Sequence, residues 1–492
     1  MFGIDRLDST KRGKALYRIC MALMILLLCF LVFFKLDVKK SEYDEARHGI
    51  SAYEMLKTGD FLVTTYQYEP DYWNLKPMLS EYLIALGYTL FGFNMIGLRF
   101  FSAFLWVALA LLYSRWAYKR CGKVAAGAVL FLSAGAYRIL LWHAVRVGNA
   151  DSLHIFLSGV CLLSLLEYEG RRDGYLYLAC LCFALDFLAK SYHAGVMALE
   201  IIVFVLLFDR GIFRQPKKIV FCLLSALGPV LLWGILRYLR DGTEFLSRMY
   251  NVDVNERSTS VLDSRAVGAL FYFTQTLADT LCLSAIVTVV LLALLSGRNA
   301  VKKKPAAVCL IFILTPLILF TLVVTKRSWY IYTYYPAFIL AGACAAQALF
   351  DLEAPRKKRL LALALPALLA LSAVCVSMVN AFSVQSDEIK DELYASRAQY
   401  AAFRGRNVYM NGTGRDGQVG QVETLMLELG GDLVPRRGST QAWLSDENGL
   451  LLLLTGEDTS IEAPFEYVFR GEKYTILKHP SNPPFTDERS AT

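Results

Sequence analysis

Charged residues are scarce in this sequence, where they make up 19% of 492 residues, against about a quarter of an average soluble domain. Hydrophobic residues make up 56%, and they lie in long blocks without a strand or helix period. A soluble domain with a large core does not account for such blocks. Membrane-spanning helices do, because each needs about 20 consecutive apolar residues.

The sequence has no Cys-x-x-Cys pair and no cysteine in the first polar loop (37–94). Nearly all of its 11 cysteines lie inside apolar blocks, where a thiol behaves as a small apolar residue. This argues against a disulfide framework or a cysteine-ligated metal. The net charge of +8 does not indicate nucleic-acid binding either, because Lys and Arg form short clusters between the apolar blocks rather than one basic face.

Eleven blocks are long enough to cross a bilayer. They are residues 17–36, 95–117, 124–141, 151–168, 175–190, 193–208, 218–238, 267–296, 305–325, 329–350 and 361–382. The first is interpreted as a retained span, since no small-residue cleavage site follows it. The predicted fold class is an α-helical polytopic membrane protein with about 11 spans, in a range of about 11–13.

A cytoplasmic N-terminus places five short basic loops on the cytoplasmic side, as membrane proteins prefer. Both the first polar loop and residues 383–492 then lie outside. Residues 383–492 contain runs typical of a strand, a helix, a strand and a hairpin. We predict a transmembrane catalytic domain (1–382) and a small extracytoplasmic α/β domain (383–492). The apolar segment 78–91 is predicted to be a helix lying on the outer membrane surface.

Ionisable and tyrosine side chains collect at the predicted outer face, where such residues are costly and often functional. They are Asp44, Glu45, Arg47, His48 and Lys76 in the first polar loop, and Arg146, Asp151, Lys190, Lys326, Arg327 and Tyr330 in later outer turns. The cytoplasmic loops hold little beyond orienting basic residues. The sequence therefore predicts a site on the outer side.

Small or apolar residues at Ala46, Ile50 and Tyr53 recur with helical spacing, which predicts a helix ending at Gly59. Asp44, in its first turn, also fits a helix N-cap. An extended stretch rich in Val, Thr and Tyr then leads to Lys76.

The strings Asp44-Glu45-Ala46-Arg47, Thr58-Gly59-Asp60, Lys76-Pro77 and Leu90-Phe91-Gly92 resemble the first outer loop of the GT-C glycosyltransferases. Within that class the sequence is most similar to the protein O-mannosyltransferases and the bacterial lipid A aminoarabinose transferases. Weaker similarities continue to about residue 340, including a Lys-x-x-Trp-Tyr segment.

The resemblance implies roles for several side chains. Asp44, with Glu45 beside it, would be the catalytic base or orient the acceptor. Lys76 and Tyr330 would bind the carrier phosphate, together with an Arg of the long loop before the eighth span. Arg257 is our choice for that Arg.

The sequence also departs from the family pattern. Leu75 stands where an acidic residue usually precedes Lys-Pro, His48 where Tyr is usual, and Thr333 where Pro is common. The change at Leu75 removes a partner that could orient Lys76.

The same residue types fit the displacement of a phosphate-linked sugar on chemical grounds. A departing phosphate needs positive charge, which Lys76, Arg257 and Arg146 can supply. A hydroxyl acceptor needs a carboxylate to take its proton, and Asp44 can do so. One direct displacement would invert the anomeric centre.

The sequence thus predicts a glycosyltransferase that moves a sugar from undecaprenyl or dolichyl phosphate to a lipid, a cell-envelope polymer or a protein. We expect it in a plasma membrane of bacterial origin, in contact with membrane lipids and without nucleic acid. A transporter or flippase of an anionic lipid-linked substrate is the alternative, although no internal repeat is visible and the charges avoid the membrane midplane.

Some of these residues have simpler explanations. Asp151 can pair with Arg146 for structure alone, Lys190 can extend from a short span to the interface, and tyrosines around Tyr330 can form an aromatic belt. Arg248 is the alternative to Arg257.

No cofactor is required by the predicted reaction. Asp44 and His48 lie four residues apart on the predicted helix, which leaves a divalent cation as an alternative.

Overall fold

The structure is a computed structural model, and it describes residues 11–168, 170, 172–256, 268–296, 303–386, 388–410 and 418–482. Most of these residues are helical, and a small sheet lies near the C-terminus. The predicted fold class, a polytopic helical protein with a small C-terminal α/β region, is therefore confirmed.

The α-helices in chain order are α1 Lys11–Phe33, α2 Tyr43–Thr58, α3 Leu79–Phe91, α4 Met95–Arg120, α5 Lys123–Ala134, α6 Ala150–Glu167, α7 Asp173–Lys190, α8 Gly195–Phe208, α9 Pro216–Asp241, α10 Glu244–Tyr250, α11 Phe271–Ala278, α12 Thr280–Ser296, α13 Lys303–Leu322, α14 Tyr335–Phe350, α15 Arg356–Phe382, α16 Arg397–Tyr400, α17 Gln418–Gly431 and α18 Thr440–Leu444. The strands are β1 Thr65–Tyr66, β2 Glu69–Pro70, β3 Asn407–Met410, β4 Val434–Arg436, β5 Leu450–Leu454, β6 Glu466–Arg470 and β7 Tyr474–Lys478. Short 3-10 or π segments are Ile139–His143, Ser191–Ala194, Arg210–Arg214, Asn251–Glu256, Ser328–Tyr334, Lys390–Tyr394, Ala401–Phe403 and Glu457–Ser460.

The chain forms two compact units. The helical unit comprises Met1–Phe34, Ser102–Arg146 and Ala150–Ser383, and the mixed unit comprises Lys35–Phe101, Val147–Asn149 and Val384–Thr492. These units divide the chain differently from the predicted domains, because residues of the first polar loop group with the C-terminal residues. The boundary at 382/383 stays a prediction.

Within the described residues, eight helices are long and apolar enough to cross a membrane, or nine if a bent pair counts as one span. All eleven predicted blocks contain helix, so the apolar pattern located the helices correctly. The count is lower because α5 is short and because α7 and α8 form one continuous apolar stretch, 173–208. The number of spans therefore stays a prediction.

The bent pair, α11 and α12, turns by 82° at Asp279. Asp279 Oδ1 accepts a hydrogen bond from the backbone N–H of Leu281 at 2.9 Å. Its other oxygen accepts one from the Tyr335 hydroxyl at 2.6 Å and lies 3.2 Å from Arg138 Nε. A carboxylate that caps the second helix and binds a cation stabilises the break in the span.

Between its charged ends, helix α9 carries mostly apolar side chains on all sides. Its buried residues are Lys218 and Arg237. Lys218 Nζ lies 2.9 Å from Asp173 Oδ1 and 3.0 Å from Asp209 Oδ2, and Arg237 Nη2 lies 2.7 Å from Asp241 Oδ2. A helix with this distribution faces lipid and neutralises its inward charges by pairing.

The sheet of the mixed unit has the strand order β4-β3-β5-β7-β6. Strand β3 is parallel to β4 and β5, while β7 is antiparallel to β5 and β6. The central strand β5 is a run of five leucines, four of them buried, which is typical of a strand covered on both faces. Its strands and the helix α17 agree with the predicted α/β arrangement.

Helix α2 lies in the same core as α17. Ala46, Ile50 and Tyr53 on α2 and Leu425 and Met426 on α17 are all fully buried. The helical spacing predicted for α2 is confirmed, and Gly59, with φ of 74°, ends the helix as predicted. The core of the mixed unit thus holds helix α2 of the first polar loop in place.

Candidate functional site

Helix α2 begins at Tyr43, and Glu42 is its N-cap residue. The backbone N–H of Glu42 donates to Glu45 Oε2 at 3.3 Å, in a capping-box arrangement. The interpretation of Asp44 as an N-cap is therefore wrong, because the N-cap residue lies two residues earlier. Asp44 is left available for another role.

Glu45 is fully buried and bound by Arg99. Arg99 Nε donates to Glu45 Oε1 at 2.6 Å and Nη2 donates to Oε2 at 2.7 Å. The backbone N–H of Gly148 donates to Oε1 at 2.8 Å. Arg99 also donates from Nη1 to the carbonyl oxygens of Leu36 and Lys39. This geometry gives Glu45 a structural role, while its predicted catalytic role stays a prediction.

Asp44 differs from its neighbour. Its side chain is half-buried, and among the described residues no hydrogen bond or ion pair engages its carboxylate. A carboxylate in this condition can accept a proton, whereas one in a bidentate guanidinium pair is already compensated.

Arg47 stabilises the conformation of the later part of the first polar loop. Its Nε and Nη2 each donate to the Asp71 carboxylate at 2.6 Å, and its guanidinium lies 3.6 Å from the centre of the Tyr66 ring. Asp71 Oδ1 in turn accepts from the backbone N–H of Trp73 at 2.8 Å. A bidentate, stacked arginine fixes the path of the chain that leads to Lys76.

Lys76 is connected to two buried side chains. Its Nζ lies 3.5 Å from His48 Nε2, and His48 Nδ1 lies 2.6 Å from Glu81 Oε1. Asn74 Nδ2 and Ser80 Oγ donate to the Glu81 carboxylate at 3.2 and 2.9 Å. Burial acts to raise the pKa of Glu81, but interaction with His48 and the hydrogen bond from Ser80 outweigh it and hold the pKa below its usual value.

The helical unit contains a second group of the predicted residues. Lys190 is buried and its ammonium pairs with Asp151. His143 Nε2 lies 3.6 Å from the other oxygen of Asp151. Arg146, fully buried, donates to the carbonyl oxygen of Phe34. The expectation that Lys190 extends to the membrane interface is wrong, because an internal carboxylate binds it.

Tyr330 lies in the 3-10 segment Ser328–Tyr334 of the same unit. Its ring packs against His193, with centroids 4.9 Å apart. The neighbouring Trp329 stacks on His143 at 3.9 Å, so this segment contacts the residues around Asp151. Tyr330 and its neighbouring tyrosines are buried, so the expectation of an outward-facing aromatic belt is wrong.

Lys326 and Arg327 precede this segment. Lys326 Nζ donates to the carbonyl oxygen of Val323 at 2.8 Å, and the guanidinium of Arg327 lies 5.4 Å from the Trp329 ring centre. Arg257 lies outside the described residues, and the alternative, Arg248, is exposed on α10.

Sequence reasoning missed Arg99, Asp71, Glu81 and His143. Arg99 and Glu81 each interrupt an apolar segment, and such an isolated charge is a signal that could have found them. Among the described residues no group of three His, Cys, Asp or Glu side chains could hold a metal ion. The divalent cation at Asp44 and His48 stays an untested alternative.

Comparison with known proteins adds the following. The family model "Dolichyl-phosphate-mannose-protein mannosyltransferase" matches residues 75–233. An uncharacterized protein of Aquifex aeolicus is 29% identical over 210 residues, which is 41% of this chain and 40% of the relative. An undecaprenyl phosphate-alpha-4-amino-4-deoxy-L-arabinose arabinosyl transferase of Pseudomonas fluorescens is 29% identical over 227 residues, 43% of this chain and 37% of the relative. The chain thus matches about two fifths of the length of these relatives.

Solved structures extend the likeness to nearly the whole chain. The crystal structure of ArnT from Cupriavidus metallidurans bound to undecaprenyl phosphate has a TM-score of 0.69 at 15% identity, covering 94% of this chain and 99% of ArnT. An Archaeoglobus fulgidus oligosaccharyltransferase has a TM-score of 0.53 at 11% identity, covering 90% of this chain and 70% of the other. The chain therefore shares the fold of ArnT and, over residues 75–233, the sequence pattern of the mannosyltransferase family, which confirms its predicted resemblance to the GT-C glycosyltransferases.

Proposed function

We propose that this protein is a membrane glycosyltransferase that moves a sugar from a polyprenyl phosphate carrier to an acceptor. The proposal rests on two charged groups in the first polar loop that have no oppositely charged partner among the described residues. Asp44 has no partner among the described residues, and the contacts of Lys76 there are with His48 and Asn74, neither of which is a carboxylate. A base and a cation are thus both uncompensated.

The two groups lie on one side of helix α2. His48 contacts Lys76, and Asp44 is four residues before His48, so the two side chains of α2 are neighbours on the helix surface. A phosphate bound by Lys76 would therefore have the Asp44 carboxylate nearby. This supports a reaction in which one substrate is anionic and the other must lose a proton.

The reaction is a single displacement at the anomeric carbon. The acceptor hydroxyl oxygen bonds to that carbon while the bond from the carbon to the phosphate oxygen breaks, and its electrons remain on the phosphate. The acceptor proton passes to Asp44. The ammonium of Lys76 stabilises the charge that grows on the departing phosphate. The anomeric configuration is inverted.

The donor and the setting follow from the relatives. ArnT was crystallised with undecaprenyl phosphate, and both sequence relatives come from bacteria. We therefore propose an undecaprenyl phosphate sugar as donor, a lipid, envelope polymer or protein as acceptor, and the outer face of a bacterial plasma membrane as location. The distribution of basic loops supports this orientation.

The test uses the purified protein in vesicles with radiolabelled polyprenyl phosphate sugars and extracted envelope acceptors. Asp44→Asn should fold and bind undecaprenyl phosphate, but lose about 100-fold or more in transfer rate. Asp37→Asn, which changes an exposed carboxylate of the same outer segment, should keep wild-type activity. Full activity of Asp44→Asn contradicts the role of Asp44. Movement of the labelled lipid across the vesicle membrane without sugar transfer would contradict the assignment of this protein as a glycosyltransferase.

A further inference from the structure

Three side chains of the mixed unit form a continuous chain of polar contacts. Glu81 Oε1 lies 2.6 Å from His48 Nδ1, and His48 Nε2 lies 3.5 Å from Lys76 Nζ. Glu81 is fully buried and His48 is 2% exposed. The three residues come from three parts of the loop: helix α2, the Lys76-Pro77 turn and helix α3.

A hydrogen-bonded chain from Glu81 through His48 to Lys76 requires one particular tautomer of His48. Because the Lys76 ammonium can only donate, a hydrogen bond between it and His48 requires Nε2 of His48 as the acceptor. In this tautomer Nδ1 carries the ring proton, and its N–H donates a hydrogen bond to the Glu81 carboxylate. Asn74 and Ser80 complete the hydrogen bonds of that carboxylate. In that tautomer, Glu81 fixes the orientation of the ring that faces Lys76.

We propose that Glu81 and His48 are positioning residues that hold the Lys76 ammonium for the carrier phosphate, an inference that rests on the proposed function. Leu75, directly before Lys76, carries no charge and cannot orient it. The acid that serves this purpose is Glu81, which acts through the imidazole of His48.

The arrangement has a chemical advantage over a direct ion pair. A carboxylate touching Lys76 would compete with the phosphate for the ammonium. A neutral imidazole orients the ammonium and leaves its full charge for the phosphate. The charged groups in contact with His48 are Glu81 and Lys76, so a second proton on the ring would place a cation against Lys76 and break this contact.

The test measures undecaprenyl phosphate affinity and the kcat and donor KM of transfer. His48→Phe removes the acceptor for Lys76 and should lower kcat/KM about 10-fold to 100-fold and weaken undecaprenyl phosphate binding. Glu81→Gln, of the same shape, should lower kcat/KM about 10-fold. His48→Gln restores an acceptor oxygen and should recover part of the activity that His48→Phe loses.

The double variant separates a positioning chain from two independent structural roles. Because Glu81 acts through His48, adding Glu81→Gln to His48→Phe should cause no further loss, whereas independent effects would multiply. Glu54→Gln is the matched control for Glu81→Gln, since Glu54 is equally buried, lies on the same helix as His48, and its hydrogen-bond partners do not include Lys76.

The outcomes are distinguishable. If the wild type transfers sugar and the His48 and Glu81 variants keep its affinity and kcat/KM, this inference is overturned and the proposed function stands. Multiplicative losses in the double variant also overturn it. If the wild type neither binds undecaprenyl phosphate nor transfers sugar, both are overturned.

Discussion

Arg99 holds the carboxylate of Glu45 through two hydrogen bonds of 2.6 and 2.7 Å, and both side chains are fully buried. Two adjacent acids at the start of one helix therefore differ in their contacts. Glu45 is ion-paired, whereas Asp44 has no partner in the described part of the chain. The pair anchors the start of α2 to the beginning of α4. Asp44 is the acid that remains for chemistry.

The buried pair predicts that Glu45→Gln acts on stability first. Removing one member of a buried ion pair leaves the other charge uncompensated, at a cost of about 3–5 kcal/mol. We expect a lower unfolding midpoint in detergent, partly restored by the double variant Glu45→Gln/Arg99→Met. A variant with an unchanged midpoint and no activity would instead assign Glu45 to catalysis.

Glu54 and Glu428 predict a pH dependence of stability. Both are buried in the mixed unit, burial raises the pKa of each, and the charge of Glu54 raises that of Glu428 further. Asp432 raises the pKa of Glu428 as well, while Lys57 lowers it. Because the folded-state pKa exceeds the unfolded value of about 4.3, the stabilisation is complete below that pH and is lost as the pH rises through the folded pKa.

The measurement is the unfolding midpoint between pH 5 and 9. Glu428→Gln, which cannot ionise, should flatten the decline and stabilise the protein at the alkaline end by about 1.4 kcal/mol for each pH unit between the unfolded and folded pKa values. Glu472→Gln, an exposed control, should leave the decline unchanged. A wild-type unfolding midpoint that rises with pH over this range would contradict the raised pKa values of these two carboxyls.

The arginine that organises the loop gives a third prediction. Arg47→Lys keeps the charge but loses the bidentate contact with Asp71 and the stacking on Tyr66. We expect faster limited proteolysis between residues 60 and 77 and about a 10-fold lower kcat/KM, because Lys76 ends this stretch. Arg437→Lys, at an exposed arginine whose contact with Glu69 is 3.1 Å long, is the control. Equal proteolysis of wild type and Arg47→Lys would remove Arg47 from loop ordering.

The pairing of Asp151 and Lys190 gives a fourth prediction. Lys190→Met leaves a buried carboxylate without its ammonium, so the unfolding midpoint should fall, and Asp151→Asn in the same chain should restore part of it. The contact is then a structural requirement of the helical unit. If Lys190→Met keeps its midpoint and loses only undecaprenyl phosphate binding, Lys190 contacts the carrier instead.

Local sequence patterns predicted many helices and strands of this structure. They could not predict which residues pair over long distances along the chain. Apolar block length located the helices, and the run of leucines at 450–454 located the central strand, because both signals lie in neighbouring residues. Block length does not reveal where a helix ends or bends, so it predicted neither the short length of α5 nor the continuity of the stretch 173–208.

The site shows the same division. Asp44, His48 and Lys76 stood out through their residue types and spacing within one loop. Arg99 pairs with a residue 54 positions away, and Glu81 with one 33 positions away. The tertiary fold determines which of these distant residues pair, so their spacing along the chain does not predict the pairs.

Helix α9 has a further consequence. Its two inward cations, Lys218 and Arg237, are 19 positions apart, which is about 28 Å along a helix axis and close to the hydrocarbon thickness of about 30 Å. The residues between them carry no charge and are apolar except for Ser225, so the length of this apolar stretch must match the thickness of the surrounding membrane. A thicker bilayer would have to thin around α9, and we therefore expect the protein to favour membranes of about that thickness.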